Sequence, residues 1–420
     1  MSLAITLVGA GSAVFTRSLV TDLLLSPLED LELRLVDPDG DRLQKVLRWV
    51  GLALENHPKK GFRALPMPLE EALRGSRVAI LTADMGGDEA LRRDHEIALR
   101  YGILETIGDT LGPGGLFKFL RNAPLVDRVA SLFQGELVLN HMNPLSPLTA
   151  LLWERGQRAL GLCHSIPESA KTLASYLGVD PGDLAYRAAG VNHLSWFLEL
   201  REGEEDLYPR LREVAQGPVR KRDPVRFELM EHFGLFPSES SAHASEYTPY
   251  FRKDPATLRR YFPQGAPGDT GYYVQTHPHF VRESLRSLEE GWTGQRSGEY
   301  GVRVLEAYFL GREEEVYATV PNPGGAVVRG LLEGPVETAV RVGKGTLEAL
   351  PASLPYGPAV LSRRVQEVHL GYLYAYLEGD PQLAEMALAL DPLVGAVLDL
   401  PRIRSLFREL LLANPGVWER

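Results

Sequence analysis

The chain has 420 residues, a length that predicts two lobes or one large domain with an elaborate second half. Hydrophobic residues make up 44% and charged residues 24%, which is typical of a soluble globular protein. Its formal net charge of −10 disfavours broad nucleic-acid binding and gives no basis for contact with an anionic membrane surface. The single cysteine, Cys163, excludes an internal disulfide bond, and no leader-like or membrane-spanning segment is recognisable, so we expect a cytoplasmic location.

The first half of the chain alternates between short apolar segments and segments with helical periodicity. We predict strands at residues 3–8, 32–36, 78–82 and 136–140, and a first helix at residues 14–25. Strand and helix in series predict the α/β class, because parallel strands joined by right-handed helical crossovers produce this order. We therefore expect a Rossmann-type, doubly wound parallel sheet in this half.

A glycine-containing turn separates the first predicted strand from the first predicted helix. It consists of Gly9, Ala10, Gly11 and Ser12; the first glycine permits a tight turn, and the second lets the backbone approach a pyrophosphate at the helix N-terminus. Asp37 ends the second predicted strand, where a carboxylate accepts hydrogen bonds from a ribose diol and repels a 2′-phosphate. The pattern predicts a dinucleotide site, with NAD favoured over NADP.

The alternation fades after about residue 200, and the second half has a different pattern. The polar, proline-containing stretch at residues 203–224 is predicted to be a surface excursion. We predict helices at residues 299–310, 360–377, 381–398 and 402–413, and a strand with a turn at residues 316–328. We divide the chain into an NAD-binding domain at residues 1–190 and a C-terminal α+β domain at residues 191–420 that completes the substrate and metal site. Its apolar late helices favour a homodimer or homotetramer.

Polar residues follow several apolar segments in the middle of the chain, and loops at the carboxyl ends of parallel strands are where ligands bind. Asn143 lies in one such loop and suits the fixing of hydroxyl groups, or alternatively caps the next helix. Cys163 and His193 follow two further apolar segments. They would form an open metal site if their strands are adjacent; the alternative is a core histidine with satisfied hydrogen bonds. Residues 238–247 are unusually polar, as part of a site or as an exposed loop.

The glycine turn by itself makes a simple NAD-dependent 2-hydroxy-acid dehydrogenase, of the lactate/malate type, the first functional hypothesis. A non-catalytic NAD sensor is a second hypothesis from another class. The many Asn, His, Cys and Tyr side chains in these motifs disfavour the sensor, because a sensor does not need a pair of metal-binding residues.

Seven motifs resemble, in their order along the chain, those of the NAD- and metal-dependent glycoside hydrolases of family 4. They are GAGSAVF from Gly9, the acidic strand end at Asp37, IGDTLGPGGLFKFLR from Ile107, NHMNP from Asn140, GLCHS from Gly161, AGVNHLSWFLEL from Ala189 and SESSAHASEYTPYF from Ser238. The sequence CHSI from Cys163 is similar to the CHSV of the α-galactosidase branch, whereas the phospho-glycosidase branches carry Asp or Asn after the cysteine. The resemblance implies an unphosphorylated α-galactoside substrate, with α-glucosides and α-uronides as alternatives.

The resemblance also implies roles for individual residues. Cys163 and His193 match the ligands of a divalent metal, usually Mn²⁺, although by ligand softness a thiolate is not the expected partner of manganese. Tyr247 matches the base that removes the C2 proton of the sugar. Asn143 and Asn192 match amides that line the sugar pocket.

The implied mechanism uses NAD as a recycled catalytic group. NAD oxidises the C3 hydroxyl, which acidifies the C2 proton; this proton is removed, the aglycone is eliminated, water adds, and NADH reduces the ketone. His164 occupies the position of the acid in the phospho-glycosidases, and Asp109 is the second candidate for the proton donor. The net reaction is hydrolysis, without the carboxylate pair that most glycosidases use.

Overall fold

The computed structural model describes residues 2–292 and 294–418. Its strands are β1 (Leu3–Val8), β2 (Leu31–Val36), β3 (Arg63–Pro66), β4 (Val78–Leu81), β5 (Leu137–Asn140), β6 (Ala159–Gly161), β7 (Leu184–Val191), β8 (Leu194–Glu202), β9 (Glu205–Asp206), β10 (Glu314–Pro321), β11 (Val328–Arg329), β12 (Pro335–Gly343), β13 (Thr346–Ala349) and β14 (Ala352–Ser353).

Its helices alternate with these strands in the first half and dominate the end of the chain. They are α1 (Ala13–Leu25), α2 (Gly40–Asn56), α3 (Leu69–Leu73), α4 (Gly87–Arg100), α5 (Gly112–Leu132), α6 (Leu145–Glu154), α7 (Ser165–Leu177), α8 (Tyr208–Val214), α9 (Val219–Arg222), α10 (Pro224–Phe233), α11 (Ser241–Glu246), α12 (Pro255–Tyr261), α13 (Tyr272–Arg286), α14 (Gly301–Leu310), α15 (Tyr356–Glu378), α16 (Pro381–Leu390), α17 (Val394–Val397) and α18 (Leu400–Ala413). Short 3₁₀ helices lie at Ser287–Glu289 and Pro323–Gly325.

The first six strands form the parallel sheet that the sequence predicts. Their order is β3-β2-β1-β4-β5-β6, and every neighbouring pair among them is parallel. All residues of β1, β4 and β5 are buried, which explains their uninterrupted apolar sequences. This is the strand order of a dinucleotide-binding sheet, and the predicted α/β fold class is confirmed.

The sheet continues beyond β6 with antiparallel strands from later in the chain. Strand β10 pairs with β6, and the order then runs β12, β7, β8 and β9, in a sheet of twelve strands that includes β13. The predicted domain boundary at residue 190 falls inside β7. Because strands from the second half pair directly with β6, one continuous sheet carries residues of both halves.

Strands β7 and β8 form a hairpin with a two-residue turn. Val191 pairs with Leu194, which leaves only Asn192 and His193 between the strands. Of these two residues only His193 has a positive φ, 67°, a conformation that is uncommon for residues with a side chain. The hairpin therefore fixes the direction of the His193 side chain.

Two stretches of the second half differ from their predicted structure. The surface excursion predicted at residues 203–224 contains α8, and both Leu207 and Leu211 are fully buried there. The helix predicted at residues 381–398 is interrupted: α16 ends at Leu390, and Asp391 accepts hydrogen bonds that begin α17. Residue 392 is a proline, which disfavours helical geometry at the residue before it. Across the described ranges, no helix combines the length and the apolarity that crossing a bilayer requires.

Candidate active site

The turn between β1 and α1 is held against the end of β2. The amides of Gly9 and Ala10 donate hydrogen bonds to the carbonyl oxygen of Val36 at 2.9 and 3.0 Å, and the amide of Ser12 donates to the carbonyl of Gly9 at 3.0 Å. Gly9 has a φ of 91°, and a Cβ atom there would lie 2.4 Å from the amide nitrogen of Ala83. The turn therefore has the tight backbone that a dinucleotide-binding turn requires.

Asp37, directly after β2, closes this turn from the other side. Its Oδ2 atom accepts a hydrogen bond from the amide of Gly11 at 2.8 Å, and its Oδ1 atom accepts one from the amide of Asp39 at 2.9 Å. A Cβ atom at Gly11 would lie 2.8 Å from the carboxyl carbon of Asp37. Each carboxylate oxygen keeps a lone pair for a ribose hydroxyl, so these residues fit the expected NAD.

The predicted metal ligands lie side by side. Cys163 follows β6, and the Sγ atom of its side chain is 3.5 Å from Nε2 of His193 in the β7–β8 turn. Burial raises the pKa of the Cys163 thiol, and the carboxylates of Glu239 and Glu337 raise it further. A coordinating divalent cation stabilises the thiolate, and the two nearby carboxylates add negative charge that attracts a cation. These residues therefore fit a divalent cation.

The predicted base, Tyr247, contacts the other nitrogen of the same histidine. Its hydroxyl is 3.1 Å from Nδ1 of His193, and the hydroxyl of Thr110 is 3.2 Å from that atom. Burial holds the pKa of Tyr247 well above its usual range, and the carboxylates of Asp109 and Glu246 add to this effect. His193 therefore contacts the other predicted metal ligand, Cys163, through Nε2 and the predicted base, Tyr247, through Nδ1.

Asp109 and Asn143 also come together in the site. The side-chain amide of Asn143 donates a hydrogen bond to Oδ2 of Asp109 at 2.8 Å, and the hydroxyl of Thr110 donates to Oδ1 at 2.9 Å. Burial by itself would raise the pKa of Asp109, but the charges of His243 and His193 hold this pKa below its usual range. Asp109 is consequently an ionised acceptor in this arrangement.

His164, the residue after Cys163, lies at the rim of the site. Its side chain is 52% exposed, and its Nδ1 atom is 3.4 Å from Oε1 of Glu299. The hydrogen bond to Glu299 raises the pKa of His164, against the opposing effect of burial. The carboxylate of Glu299 therefore favours the protonated form of the imidazole.

Asn192 is placed differently from the other predicted site residues. It is fully buried, and its side-chain amide donates a hydrogen bond to Oε1 of Glu337 at 3.4 Å. Like Tyr247, it does not line the cavity that holds Asp109, Asn143, Cys163, His164 and His193. Its role as a sugar ligand stays a prediction, while its observed contact stabilises the turn that carries His193.

Two site residues were not singled out from the sequence, although they lie in its polar stretch at residues 238–247. The Oε2 atom of Glu239 is 3.0 Å from Nδ1 of His243. Burial opposes both charges, but Glu239 raises the pKa of His243 to about 9, and His243 together with His193 holds the pKa of Glu239 well below its usual range. The density of polar residues was the signal, but it did not distinguish these side chains from their neighbours.

Seven of these polar side chains line one cavity of about 210 Å³. Its lining includes Asp109, Asn143, Cys163, His164, His193, Glu239 and His243, together with Phe15, Ile107, His141, Leu162 and Tyr273. Pockets for drug-sized ligands measure roughly 300–1,000 Å³, so this cavity suits a single sugar ring. It therefore joins a polar, metal-compatible wall to the end of the dinucleotide-binding sheet.

Two family models match the chain over most of its length. The model of the family 4 glycosyl hydrolases matches residues 4–179, and the model of their C-terminal domain matches residues 188–394. The chain is 30% identical to an α-galactosidase of Rhizobium meliloti (98% of this chain, 88% of the relative) and 31% identical to one of Bacillus subtilis (99% and 98%). An α-galacturonidase of Bacillus subtilis is 26% identical over 96% of both chains.

Solved structures show the same fold. A 6-phospho-α-glucosidase from gut microorganisms, in complex with NAD and Mn²⁺, superposes with a TM-score of 0.82 at 19% identity and covers 100% of this chain, with 99% of its own chain covered. A lactate dehydrogenase from a deep-sea metagenome library reaches a TM-score of 0.52 at 14% identity, covering 89% of this chain and 98% of its own. The likeness to the dehydrogenase extends to the fold alone, whereas the family models cover both halves of the chain.

Proposed function

The chain belongs to family 4 of the glycosyl hydrolases, and we propose that within this family it is an α-galactosidase that uses NAD and a divalent cation, manganese. The observation that carries the proposal is the cluster of Cys163, His193 and Tyr247: the first two line one cavity at the end of the dinucleotide-binding sheet, and the Tyr247 hydroxyl contacts His193. The α-galactosidase relatives, at 30% and 31% identity over nearly the whole chain, support galactose as the sugar.

The charges of the cavity support an unphosphorylated and uncharged sugar. Among the described residues that line it there is neither lysine nor arginine, the side chains that bind phosphates and carboxylates. The two lining histidines whose pKa is raised are already paired, His164 with Glu299 and His243 with Glu239. A phosphate or uronate would add negative charge beside Asp109 and Glu239 without a free cationic partner, which disfavours phospho-glycosides and uronides.

The site residues divide the chemistry between hydride and proton movements. When bound, NAD supplies reversible hydride transfer at C3 of the sugar, and the divalent cation supplies a Lewis acid. In its phenolate form Tyr247 removes the C2 proton and becomes the neutral phenol, and His193, 3.1 Å from the Tyr247 hydroxyl, donates a hydrogen bond that stabilises the phenolate before the transfer. Asn143 fixes the carboxylate of Asp109, which then accepts a hydrogen bond from a sugar hydroxyl.

We propose His164 as the proton donor to the departing aglycone oxygen. Its pKa is raised by Glu299, and its half-exposed side chain lies at the rim of the cavity, where the aglycone would leave. Asp109 remains the second candidate, but the low pKa of its buried carboxyl leaves it without a proton near neutrality.

We further propose that the enzyme acts in the cytoplasm as a homodimer or homotetramer. A reduced Cys163 is required for metal binding, and reducing compartments preserve free thiols. The late helices leave large apolar side chains exposed, such as Tyr356 at 87% and Met386 at 57%. Light scattering coupled to size exclusion measures the oligomeric state, and a monomeric mass at micromolar concentration would contradict the proposal.

The function is tested with a panel of aryl α- and β-glycosides, aryl uronides and 6-phospho-glycosides in the presence of NAD and Mn²⁺. We expect phenol release from the aryl α-galactoside, with no net accumulation of NADH. Release from the α-glucoside or the uronide alone would assign one of the other activities found in the family. Stoichiometric NADH without phenol release would indicate a dehydrogenase instead.

A further inference from the structure

We propose that Glu239 is a third protein ligand of the divalent cation, beside Cys163 and His193; this inference rests on the metal dependence proposed above. The ligand atoms of these three side chains all lie within 4.8 Å of one another. Oε1 of Glu239 is 3.6 Å from Nε2 of His193, and Sγ of Cys163 is 3.5 Å from the same nitrogen. One cation can therefore be shared by a thiolate, an imidazole and a carboxylate.

The chemistry of the donor set favours such a carboxylate. A thiolate and an imidazole favour zinc and other soft or borderline ions, whereas manganese prefers oxygen ligands. The pair of Cys163 and His193 alone is consequently a poor match for manganese. Glu239 supplies a hard, negatively charged oxygen within 4.8 Å of the other two ligand atoms, and such an oxygen is a ligand that manganese prefers.

The backbone of Glu239 is built to hold its side chain in this position. Its φ of 70° is in the left-handed region, which costs free energy for a residue with a side chain. The carbonyl oxygen of Glu239 accepts hydrogen bonds from the hydroxyl of Ser169, at 3.0 Å, and from the guanidinium of Arg226. Arg226 is itself buried and forms an ion pair with Asp223 at 2.5 Å. The surrounding structure thus maintains a conformation that is costly by itself.

His243 orients the carboxylate by contacting the oxygen that does not face His193. It contacts the Oε2 atom of Glu239 at 3.0 Å, which leaves Oε1 directed towards Nε2 of His193. Hydrogen bonds of this kind commonly fix the orientation of metal-ligating carboxylates. His243 is therefore assigned as a positioning residue for Glu239 and not as a ligand.

A rival triad shares His193 with the first one. Asp109, His193 and His243 also bring their ligand atoms within 4.8 Å of one another. However, Nδ1 of His193 already contacts the hydroxyl of Tyr247 at 3.1 Å, so Nε2 is the nitrogen available for a cation. That nitrogen is the one that faces Glu239. The geometry favours the triad that contains the thiol.

The assignment is tested by measuring Mn²⁺ binding to the full-length protein with NAD present, by isothermal titration calorimetry and by the electron paramagnetic resonance of free Mn²⁺. We expect Glu239→Gln to raise the Mn²⁺ dissociation constant at least about tenfold. Glu299→Gln, which removes an equal charge next to His164 at the rim of the cavity, and Asp109→Asn should each change it less than about threefold. Cd²⁺ affinity should fall less in Glu239→Gln than Mn²⁺ affinity does, because the soft ligands remain.

The assignment is wrong if Glu239→Gln binds Mn²⁺ like the unsubstituted protein, or if Asp109→Asn is the variant that loses the ion. Equal losses in Glu239→Gln and Glu299→Gln would indicate a general effect of charge and would also overturn it. NAD binding and the thermal midpoint establish that the variants are folded. If Glu239→Gln does not fold, a crystal structure of the unsubstituted protein with Mn²⁺ decides, with a Glu239 oxygen expected at roughly 2.0–2.4 Å from the ion. Failure of the unsubstituted protein to bind any divalent ion would instead contradict the proposed function.

Discussion

Backbone conformation singles out two residues of the site. Among the described residues, the non-glycine residues with positive φ are Asp30, His193 and Glu239, and two of these three line the cavity. Left-handed conformations cost free energy for residues with a Cβ atom, and they persist where the surrounding structure enforces them. The side-chain directions of His193 and Glu239 are therefore determined by left-handed turns that the surrounding structure maintains.

Tyr247 is expected to be essential for turnover but not for folding. Tyr247→Phe removes the hydroxyl that contacts His193 at 3.1 Å and leaves the buried ring in place. Because a positioned base contributes roughly 10²–10⁴-fold, kcat should fall by at least about 100-fold, with little change in KM. Turnover of an aryl α-galactoside in D₂O checks this: the native enzyme should exchange the C2 hydrogen, and the variant should not. Unimpaired turnover would remove Tyr247 from its assigned role.

Gly11 is expected to be essential for cofactor binding. A Cβ atom at this position would lie 2.8 Å from the carboxyl carbon of Asp37 and would displace the carboxylate proposed to hold the ribose. Gly11→Ala should raise the NAD dissociation constant about tenfold or more, as measured by calorimetry. Gly40→Ala is the matched control, because a Cβ atom at Gly40 meets no other atom within 4 Å. Equal NAD affinities for both variants would contradict the assignment.

At the scale of elements, the segment that carries Asp109 is held by two carboxylates from the second half of the chain. Glu246, at the end of α11, accepts hydrogen bonds from the amides of Thr106 and Ile107 at 2.6 and 3.0 Å. Asp391 accepts one from the amide of Gly112 at 2.8 Å. The position of Asp109 in the cavity therefore depends on helices that follow it by more than a hundred residues.

Glu246→Gln tests this dependence. The substitution keeps the shape of the side chain. In the unsubstituted protein a carboxylate oxygen of Glu246 lies 3.5 Å from the backbone amide of Gly108; in the variant an NH₂ group takes this place and cannot accept the hydrogen bond. A displacement of Asp109 should lower kcat by about 10-fold, whereas NAD affinity should be unchanged, because Gly9 and Asp37 lie on other elements. Calorimetry and steady-state kinetics provide the two readouts. A parallel loss of NAD binding would point to general destabilisation instead.

At the scale of the whole molecule, one sheet brings the two halves to a common site. Strand β10 pairs with β6 next to Cys163, through Thr319 and Gly161, and β12 pairs with β7 through Glu337 and Gly190. Two strands that follow residue 313 are thus inserted between β6 and β7. This insertion places the β7–β8 turn, with His193, beside the end of β6.

Asp391 is expected to make the stability of the molecule depend on pH. Burial raises its pKa from 3.8 to about 6, although backbone amides of Val394 and Gly112 oppose this shift. Because the folded-state pKa is raised, its contribution to stability is complete below the unfolded pKa and is lost as pH rises through about 6. Relative to Asp391→Asn, the free energy of unfolding should fall by on the order of 2–3 kcal/mol between pH ~4 and ~6.5, and then stay constant. Urea unfolding at several pH values measures this difference, and a difference independent of pH would contradict the expectation.

Sequence alone was sufficient for the features that depend on neighbouring residues. The apolar run of β1, the turn at Gly9 and the acid at Asp37 predicted the parallel sheet and its cofactor site, because these features lie within one βαβ unit. The motifs containing Cys163 and His193 likewise identified candidate ligands through their resemblance to a family. Local sequence did not distinguish a buried α8 from a polar surface segment, since burial depends on what packs against it.

Only the tertiary structure decided which of these residues meet. His193 and Glu239 are brought to the thiol of Cys163 by strand insertion and by two strained turns, and neither contact has a local pattern in the sequence. The same holds for Asn192, whose side chain turns away to Glu337 although it is adjacent to His193. Hydrophobic periodicity records which face of an element is buried, but the pairing of distant strands depends on the packing of the whole chain. The chemistry of the candidate residues was therefore readable from the sequence, and their joint geometry was not.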